Sequence, residues 1–423
     1  MHRSPFEKSG IDNAVAGGRP PARLAALTEQ YRMRGPINEV VSIAFYPESK
    51  LVTAPAVARR ARRSRAAWAC NELIVLDTSS LAPRTARRQG VTSRYNLMHA
   101  QLVAALLGPD GDDNLELGLV TPFAPQARLL ESLLPKAMLD TWAASTVHRF
   151  QGGERDVIVY DTVDTGYGVT PLHRWFTDGH AGSQGARLLN VAASRARDHL
   201  VVVAALNRMH KVRARDAVST FFAHLLDQAT RLPWEKSLTF SSSTERITNG
   251  VVKRLKRDLD RASTVDIWLP RTPLVGMREL IPHLRLITAT GSNAEPVTVW
   301  VEPDRDGYLS AEVLATKRAG VNVRPCTPIL ESLAVVGDVV WSSTRSLLGP
   351  DPGVVLRTEH RAFADAVRRA QRRRPGVAPG SGQTADDRGH CRRTLVRFEL
   401  PRRGDPHITY ACASCDSPDR RPN

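Results

Sequence analysis

The chain has 423 residues, with 59 Lys+Arg against 43 Asp+Glu and a formal net charge of +16 at pH 7. That length exceeds one compact core, so two or three domains of ~100–200 residues are expected, and the cationic excess favours a polyanionic partner through counterion release, although an Arg-rich proteome would produce the same bias. Five cysteines, three of them beyond residue 390, form no paired framework, and the start Met1–Lys8 has no apolar signal core. No apolar run approaches the ~18 residues a membrane helix needs. A cytoplasmic protein with no membrane partner is expected.

From Leu24 to about Leu206 short apolar runs alternate with amphipathic stretches, the pattern of a doubly wound parallel sheet covered on both faces. Strands are predicted at Leu73 to Leu76, Leu117 to Val120, Val157 to Thr162 and Leu200 to Ala204, and helices at Asn96 to Leu107, Ala124 to Leu134 and Arg187 to Arg197. The Arg-rich stretch Arg59 to Arg65 interrupts this order and reads as a solvated loop. A polar hinge at Phe240 to Glu245 closes the first domain, assigned to residues 1–235. A second α/β domain, residues 246–373, has predicted strands at Val265 to Leu269, Val297 to Val301, Val321 to Arg324, Leu333 to Val336 and Val354 to Arg357. Helices around Val275 to Ile287, Ser310 to Ala319 and His360 to Arg373 alternate with them. Residues 374–388 form a Pro/Gly/Ser linker that cannot supply a core, and residues 389–416 a small terminal module.

Three stretches carry the chemistry: Gln30-Tyr-Arg-Met33, Ser145 to Asp156 (STVHRFQGGERD) and Asn190 to Arg197 (NVAASRAR). Thr121-Pro-Phe-Ala-Pro-Gln126 follows a predicted strand, where polar groups at the strand's C-terminal end face ligands in open α/β sheets. Taken singly, Arg32 and Arg195 read as solvated helix faces, Tyr31 as a core tyrosine and Gly152-Gly153 as a surface turn. No G-x-x-x-x-G-K-[ST] phosphate loop occurs in the 423 residues.

In this order and at these spacings the elements resemble the second motor lobe of Upf-like superfamily 1 helicases, over roughly residues 5 to 206. The resemblance implies a RecA-like lobe that shares ATP and magnesium with a first lobe. The phosphate-loop residues and the magnesium-holding acidic pair of that first lobe have no match here, so a partner lobe in trans is implied for activity. Arg32 and Arg195 match the family arginines on the terminal phosphate, a role suited to a permanently charged, planar fork of donors. Gln30, Tyr31, Gly153 and Glu154 match the nucleotide-binding positions, with Tyr31 on the adenine and Glu154 near the ribose. Thr121 and Thr146 match positions close to single-stranded DNA or RNA, where hydroxyls fix register without reading sequence.

Residues 246–373 resemble a phospholipase D-like domain in strand and helix order. The H-x-K-x-x-x-x-D motif of active members aligns with Leu330, Ser332 and Gly337, which implies a degenerate, catalytically dead domain with Trp341 to Thr344 at the rim of the old site. Cys412 and Cys415 form a C-x-x-C with Cys391 upstream, a candidate zinc module against the alternative of a disordered tail. The leading expectation is the C-terminal part of an ATP-dependent DNA/RNA helicase, inactive alone. Its rival is a non-catalytic nucleic-acid-binding or scaffold protein derived from one.

Overall fold

The computed structural model describes residues 9–11, 14, 28–65, 67, 71–87, 93–108, 114–150, 153–167, 171–180, 182–209, 216–270, 274–291, 295–303, 308–326, 329 and 331–372, and the backbone of three strands beyond 394. In chain order the first region contributes β1 (Glu29–Gln30), α1 (Gly35–Phe45), β2 (Val52–Thr53), β3 (Leu73–Asp77), β4 (Ala86–Arg87), β5 (Arg94–Tyr95), α2 (Leu97–Leu106), β6 (Leu117–Thr121), α3 (Ala124–Glu131), β7 (Trp142–Thr146), β8 (Arg155–Asp161), α4 (Gln184–Ala193), β9 (Ala196–Ala204), α5 (Ala217–Gln228) and β10 (Thr230–Pro233).

Six of these strands build one sheet in the order β10-β3-β9-β8-β6-β7, every neighbouring pair parallel. Because both faces are covered, its central strands are continuous apolar runs rather than alternating ones. The pleat still sorts them. Ile74, Leu76, Val157, Val159, Val201 and Val203 face the α2 and α3 side, whereas Leu73, Val75, Ile158, Tyr160, Leu200 and Val202 face α1, α4 and α5. This is the predicted doubly wound α/β lobe with RecA-like architecture. The four predicted strands are present; β7 and β10 escaped notice because Trp-Ala-Ala-Ser-Thr and Thr-Arg-Leu-Pro carry too few apolar residues to signal a strand.

The second region contributes β11 (Thr244–Ile247), α6 (Val251–Leu259), β12 (Val265–Leu269), α7 (Met277–Thr290), β13 (Val297–Val301), β14 (Tyr308–Leu309), α8 (Ala311–Arg318), β15 (Asn322–Pro325), β16 (Ser332–Val336), β17 (Val339–Ser343), β18 (Val355–Glu359) and α9 (Arg361–Arg372). Seven strands form a mixed sheet in the order β11-β18-β17-β16-β12-β13-β15. β12, β13 and β15 run parallel, and the others pair antiparallel. Two expectations change here. The polar hinge ends inside a strand, since Thr244 and Glu245 pair with Thr358 and Arg357. Trp341 is no rim residue: it lies fully buried in β17 and donates its indole N–H to Asp258 at 2.9 Å.

The two sheets share a core. One hydrophobic cluster runs from Leu97, Leu102 and Leu130 of the first region to Leu333, Val340 and Phe363 of the second. Buried in this junction, the Gln101 amide of α2 donates to Thr358 Oγ1 (3.1 Å) and the Val340 carbonyl (3.4 Å) and accepts from Ser342 Oγ at 2.5 Å. Gln371 of α9 donates in turn to the Tyr95 hydroxyl at 2.9 Å. Buried amides bonded across the junction fix its register, because separation would cost them those partners.

Beyond residue 394, β19 (Leu395–Leu400), β20 (His407–Cys412) and β21 (Pro418–Asp419) add to β14 in an antiparallel order except for the parallel β14–β19 pair. Among the described residues, no helix is long and apolar enough to cross a membrane.

Candidate functional site

The sequence-predicted residues separate to two edges of the parallel sheet. At the end of the sheet where β8 and β9 begin, six of them meet: Gln30, Tyr31, Arg32, Gly153, Glu154 and Arg195. The chain after α4 makes a closing turn, Ser194 N to Asn190 O and Arg195 N to Ala192 O, and enters β9 at Ala196. This helix ends at Ala193, earlier than the predicted Arg197, which puts Arg195 at a helix–strand junction rather than on a helix face. Its carbonyl accepts from Arg155 N at 3.1 Å, tying the turn to the start of β8 just after Glu154.

Arg32 reaches into the same corner. Its Nε donates to Glu154 Oε2 at 2.5 Å and its guanidinium to the Ser194 carbonyl at 3.1 Å. Glu154 also faces Arg197, 3.8 Å away, while Arg197 is anchored by Asp156 at 2.7 Å and by Glu116. Arg195 differs from these neighbours. Among the described residues its Nε is buried without a hydrogen-bond partner, and no ion pair is formed by its guanidinium. Burial lowers its pKa and the Arg32 charge lowers it further, with Glu154 and Tyr46 opposing. An arginine stays charged under such shifts, so the corner holds a partly desolvated cation with unused donors.

Tyr31 stands beside this corner at 66% exposure, the opposite of a core tyrosine. Its hydroxyl donates to Glu29 at 3.0 Å, and that hydrogen bond, together with the Glu29 charge, raises the phenol pKa. Gln30, Tyr31, Arg32, Tyr46, Glu154 and Arg197 are among the residues lining a cavity of about 540 Å³, within the range of small-ligand sites. Arg195 is not one of the lining residues; it lies close enough behind the rim to feel Arg32, Glu154 and Tyr46. Gly153 borders Glu154, and a Cβ placed there would meet nothing closer than 3.7 Å. The fold itself does not require glycine at this position. Gly152 and Gln151 lie outside the described residues.

In the Arg-rich stretch expected to be a solvated loop, Arg59, Arg62 and Arg63 are exposed as expected, whereas Arg60 clamps this corner. Arg60 donates to the carbonyls of Arg32 (3.0 Å) and Arg197 (3.1 Å) and to Asp198 (2.9 Å). Arg34 shares Asp198 at 3.0 Å, and Arg65 is buried with its guanidinium over the Trp142 ring. Burial raises the Asp198 carboxyl, but hydrogen bonds from Arg60, Arg63 N and Arg34, with the Arg60 charge, outweigh it and leave the pKa below the usual range. The charge run misled because the carboxylates that hold Arg60 and Arg63 lie 138 and 93 positions away. Arg197 was legible as the second arginine of the N-V-A-A-S-R-A-R element; Thr53 and Glu116 carried no signal.

Thr121 and Thr146 sit at the opposite edge, closing β6 and β7 in register with each other. Thr146 is half-buried, whereas Thr121 is fully buried and its hydroxyl has no hydrogen-bond partner among the described residues. Gln126 of the same element is also buried, donating to Asp161 at 2.6 Å, which pairs with His99 at 2.8 Å. Phe123 stacks on Trp175 with centroids 5.2 Å apart, and His173 packs against both rings. Burial lowers His173 to about 4, helped by the charges of Arg94 and Arg174.

In the second region Ser332 is buried, its hydroxyl accepting from Leu347 N at 2.8 Å. Gly337 turns the β16–β17 hairpin at φ 55°, a left-handed conformation that glycine adopts at little cost. Leu330, Cys391 and Cys415 lie outside the described residues, as does the side chain of Cys412. Among the described residues no group of three or more His, Cys, Asp or Glu could hold a metal ion.

Residues 2–207 match a family model described as an AAA domain. Over those residues the first region is similar to that family. This type of AAA domain is found in Upf-like superfamily 1 helicases. No curated protein matches the chain. Among solved structures it is similar to TrmBL2, an archaeal chromatin protein with a novel mode of DNA binding, at 10% identity over 30% of this chain and 50% of that one, with a TM-score of 0.24. Polyphosphate kinase from Porphyromonas gingivalis is matched at 16% identity over 38% of this chain and 30% of that one, with a TM-score of 0.26. The chain thus spans half or less of either protein, and neither superposition is close enough to carry an argument.

Proposed function

We propose that the AAA domain is the second lobe of a Upf-like superfamily 1 DNA/RNA helicase and faces a nucleoside triphosphate through the cavity at the β8–β9 edge. The observation that carries this reading is the partly buried guanidinium of Arg195, without an ion pair among the described residues, beside Arg32, Glu154 and the exposed ring of Tyr31. In this reading Tyr31 stacks on the base, Glu154 lies near the ribose, and Arg195 with Arg32 neutralises charge that spreads over the terminal phosphoryl oxygens. For Arg32 to turn to the phosphates it must leave Glu154, so the ligand competes with an internal carboxylate. Magnesium would be held by the first lobe, since the cavity gathers arginines and a single carboxylate. Single-stranded DNA or RNA would cross the other edge at Thr146, with Thr121 requiring a local opening to reach it.

A second reading, a non-catalytic nucleic-acid-binding or scaffold protein derived from such a helicase, is favoured by the formal net charge of +16. The mixed second sheet, with Ser332 and Gly337 at the positions of the motif's Lys and Asp, accords with a degenerate phospholipase D-like domain that packs and binds rather than cleaves. Fluorescence anisotropy of a labelled single-stranded oligonucleotide separates the two readings. Salt-sensitive binding that ATP shifts, with the shift lost in Arg195→Ala, supports the helicase lobe. Salt-sensitive binding indifferent to ATP supports the binding protein.

A further inference from the structure

Gln30 matches a nucleotide-binding position, yet its side chain has no group left with which to bind one. An amide offers two acceptor lone pairs and two N–H donors. Here Oε1 accepts from the backbone N–H of Arg32 at 2.9 Å and of Met33 at 2.7 Å. Nε2 donates to the Met33 carbonyl and to Thr53 Oγ1, both at 2.8 Å. Three of these four bonds close the turn from Gln30 to Met33 on itself, and the fourth ties that turn to β2, whose Thr53 pairs with Gln30 in register. The turn's two central residues are Tyr31, directed into solvent, and Arg32, directed at Glu154.

We propose that Gln30 is a positioning residue that touches no nucleotide: it sets the turn that presents Tyr31 and Arg32 to the ligand, with Thr53 as its second anchor. This rests on the reading of the cavity as a triphosphate site. A side chain that read the base would have to break at least one of four short bonds, each holding a backbone or hydroxyl group that would then lose its partner. The site consequently lacks a base-reading amide at this position, and stacking on Tyr31 tolerates any base.

The test is a calorimetric titration of the full chain with ATP, GTP and inorganic tripolyphosphate, for wild type, Gln30→Ala, Thr53→Val, Arg32→Ala and the Gln30→Ala/Arg32→Ala pair. Wild type is expected to bind all three. Gln30→Ala should weaken all three, including tripolyphosphate, by a common factor on the order of tenfold, the loss of roughly one charge-assisted contact. Thr53→Val should act in the same direction with a smaller factor, and Gln30→Ala should add nothing to Arg32→Ala for tripolyphosphate. Loss of ATP binding with tripolyphosphate unchanged would mean that Gln30 contacts the base and would overturn the proposal. Equal affinities in wild type and Gln30→Ala would overturn it as well. A wild type that binds none of the three would instead overturn the triphosphate reading of the cavity. If Gln30→Ala does not fold, Gln30→Glu keeps the acceptor for Arg32 and Met33 N–H while losing the donors to the Met33 carbonyl and Thr53, and the same comparison of ligands applies.

Discussion

Replacing Gln101 by alanine should weaken both domains at once. The residue is fully buried on α2, and its amide is shared among the Val340 carbonyl, Thr358 Oγ1 and Ser342 Oγ of the second sheet. Truncation leaves these groups beside a void of amide size. The Val340 contact is long, and Thr358 keeps Thr244 as a neighbour at 3.2 Å, so most of the cost falls on the Ser342 hydroxyl and the cavity. An unsatisfied buried hydroxyl costs ~1–3 kcal/mol and a void of this size about another 1 kcal/mol, which gives roughly 3 kcal/mol. For a cooperative unit of this size that lowers Tm by about 3–6 °C. Because one apolar cluster runs through both sheets, differential scanning calorimetry should record a single transition in wild type and a single, earlier one in Gln101→Ala. Two transitions in wild type, with only the later or earlier one moving in the variant, would refute the argument that the junction is part of a common core.

Gly153→Ala should fold with wild-type stability, since its Cβ meets only ordinary contacts; if a ligand backbone or phosphate approaches there, tripolyphosphate binding should fall about tenfold, and unchanged binding would remove Gly153 from the site. His173 is lowered to about 4 from 6.5, so the unfolded chain takes up its proton first. Its contribution is therefore intact above pH 6.5 and lost as pH falls toward 4. His173→Asn, which can still cap the short helix at Arg174, should flatten the fall of Tm over that window, and an unchanged slope would refute the assignment. Zinc analysis of the purified full chain should return about one metal per protein if Cys391, Cys412 and Cys415 form a site; well below one would leave the tail without it.

Much of the parallel sheet was legible because its strands are buried on both faces and therefore read as unbroken apolar runs, as in Leu73 to Leu76 and Leu200 to Ala204. β7 was not, because Ala143, Ala144 and Ser145 pack against neighbours by being small. The α6 helix was missed for the opposite reason: Lys253, Arg254, Lys256 and Arg257 hide a narrow apolar stripe of Leu255 and Leu259. At the candidate site, the motifs located Arg32, Glu154 and Arg195 but could not assign labour among them. That division depends on which arginine finds a carboxylate, and the carboxylates come from distant strands. Glu154 and Asp156 hold Arg32 and Arg197, Asp198 holds Arg34 and Arg60, and Arg195 forms no ion pair among the described residues. Gln30 shows the same limit, since only the coordinates reveal that its amide is already spent.

Photolabelling of the full chain with an azido-substituted adenosine triphosphate, followed by peptide mapping, tests the central claim most directly. The account predicts saturable labelling of the peptide containing Tyr31, competed by excess ATP and by tripolyphosphate and diminished in Arg195→Ala. Labelling that does not saturate, or that falls on a peptide remote from Tyr31 and indifferent to Arg195, would contradict it.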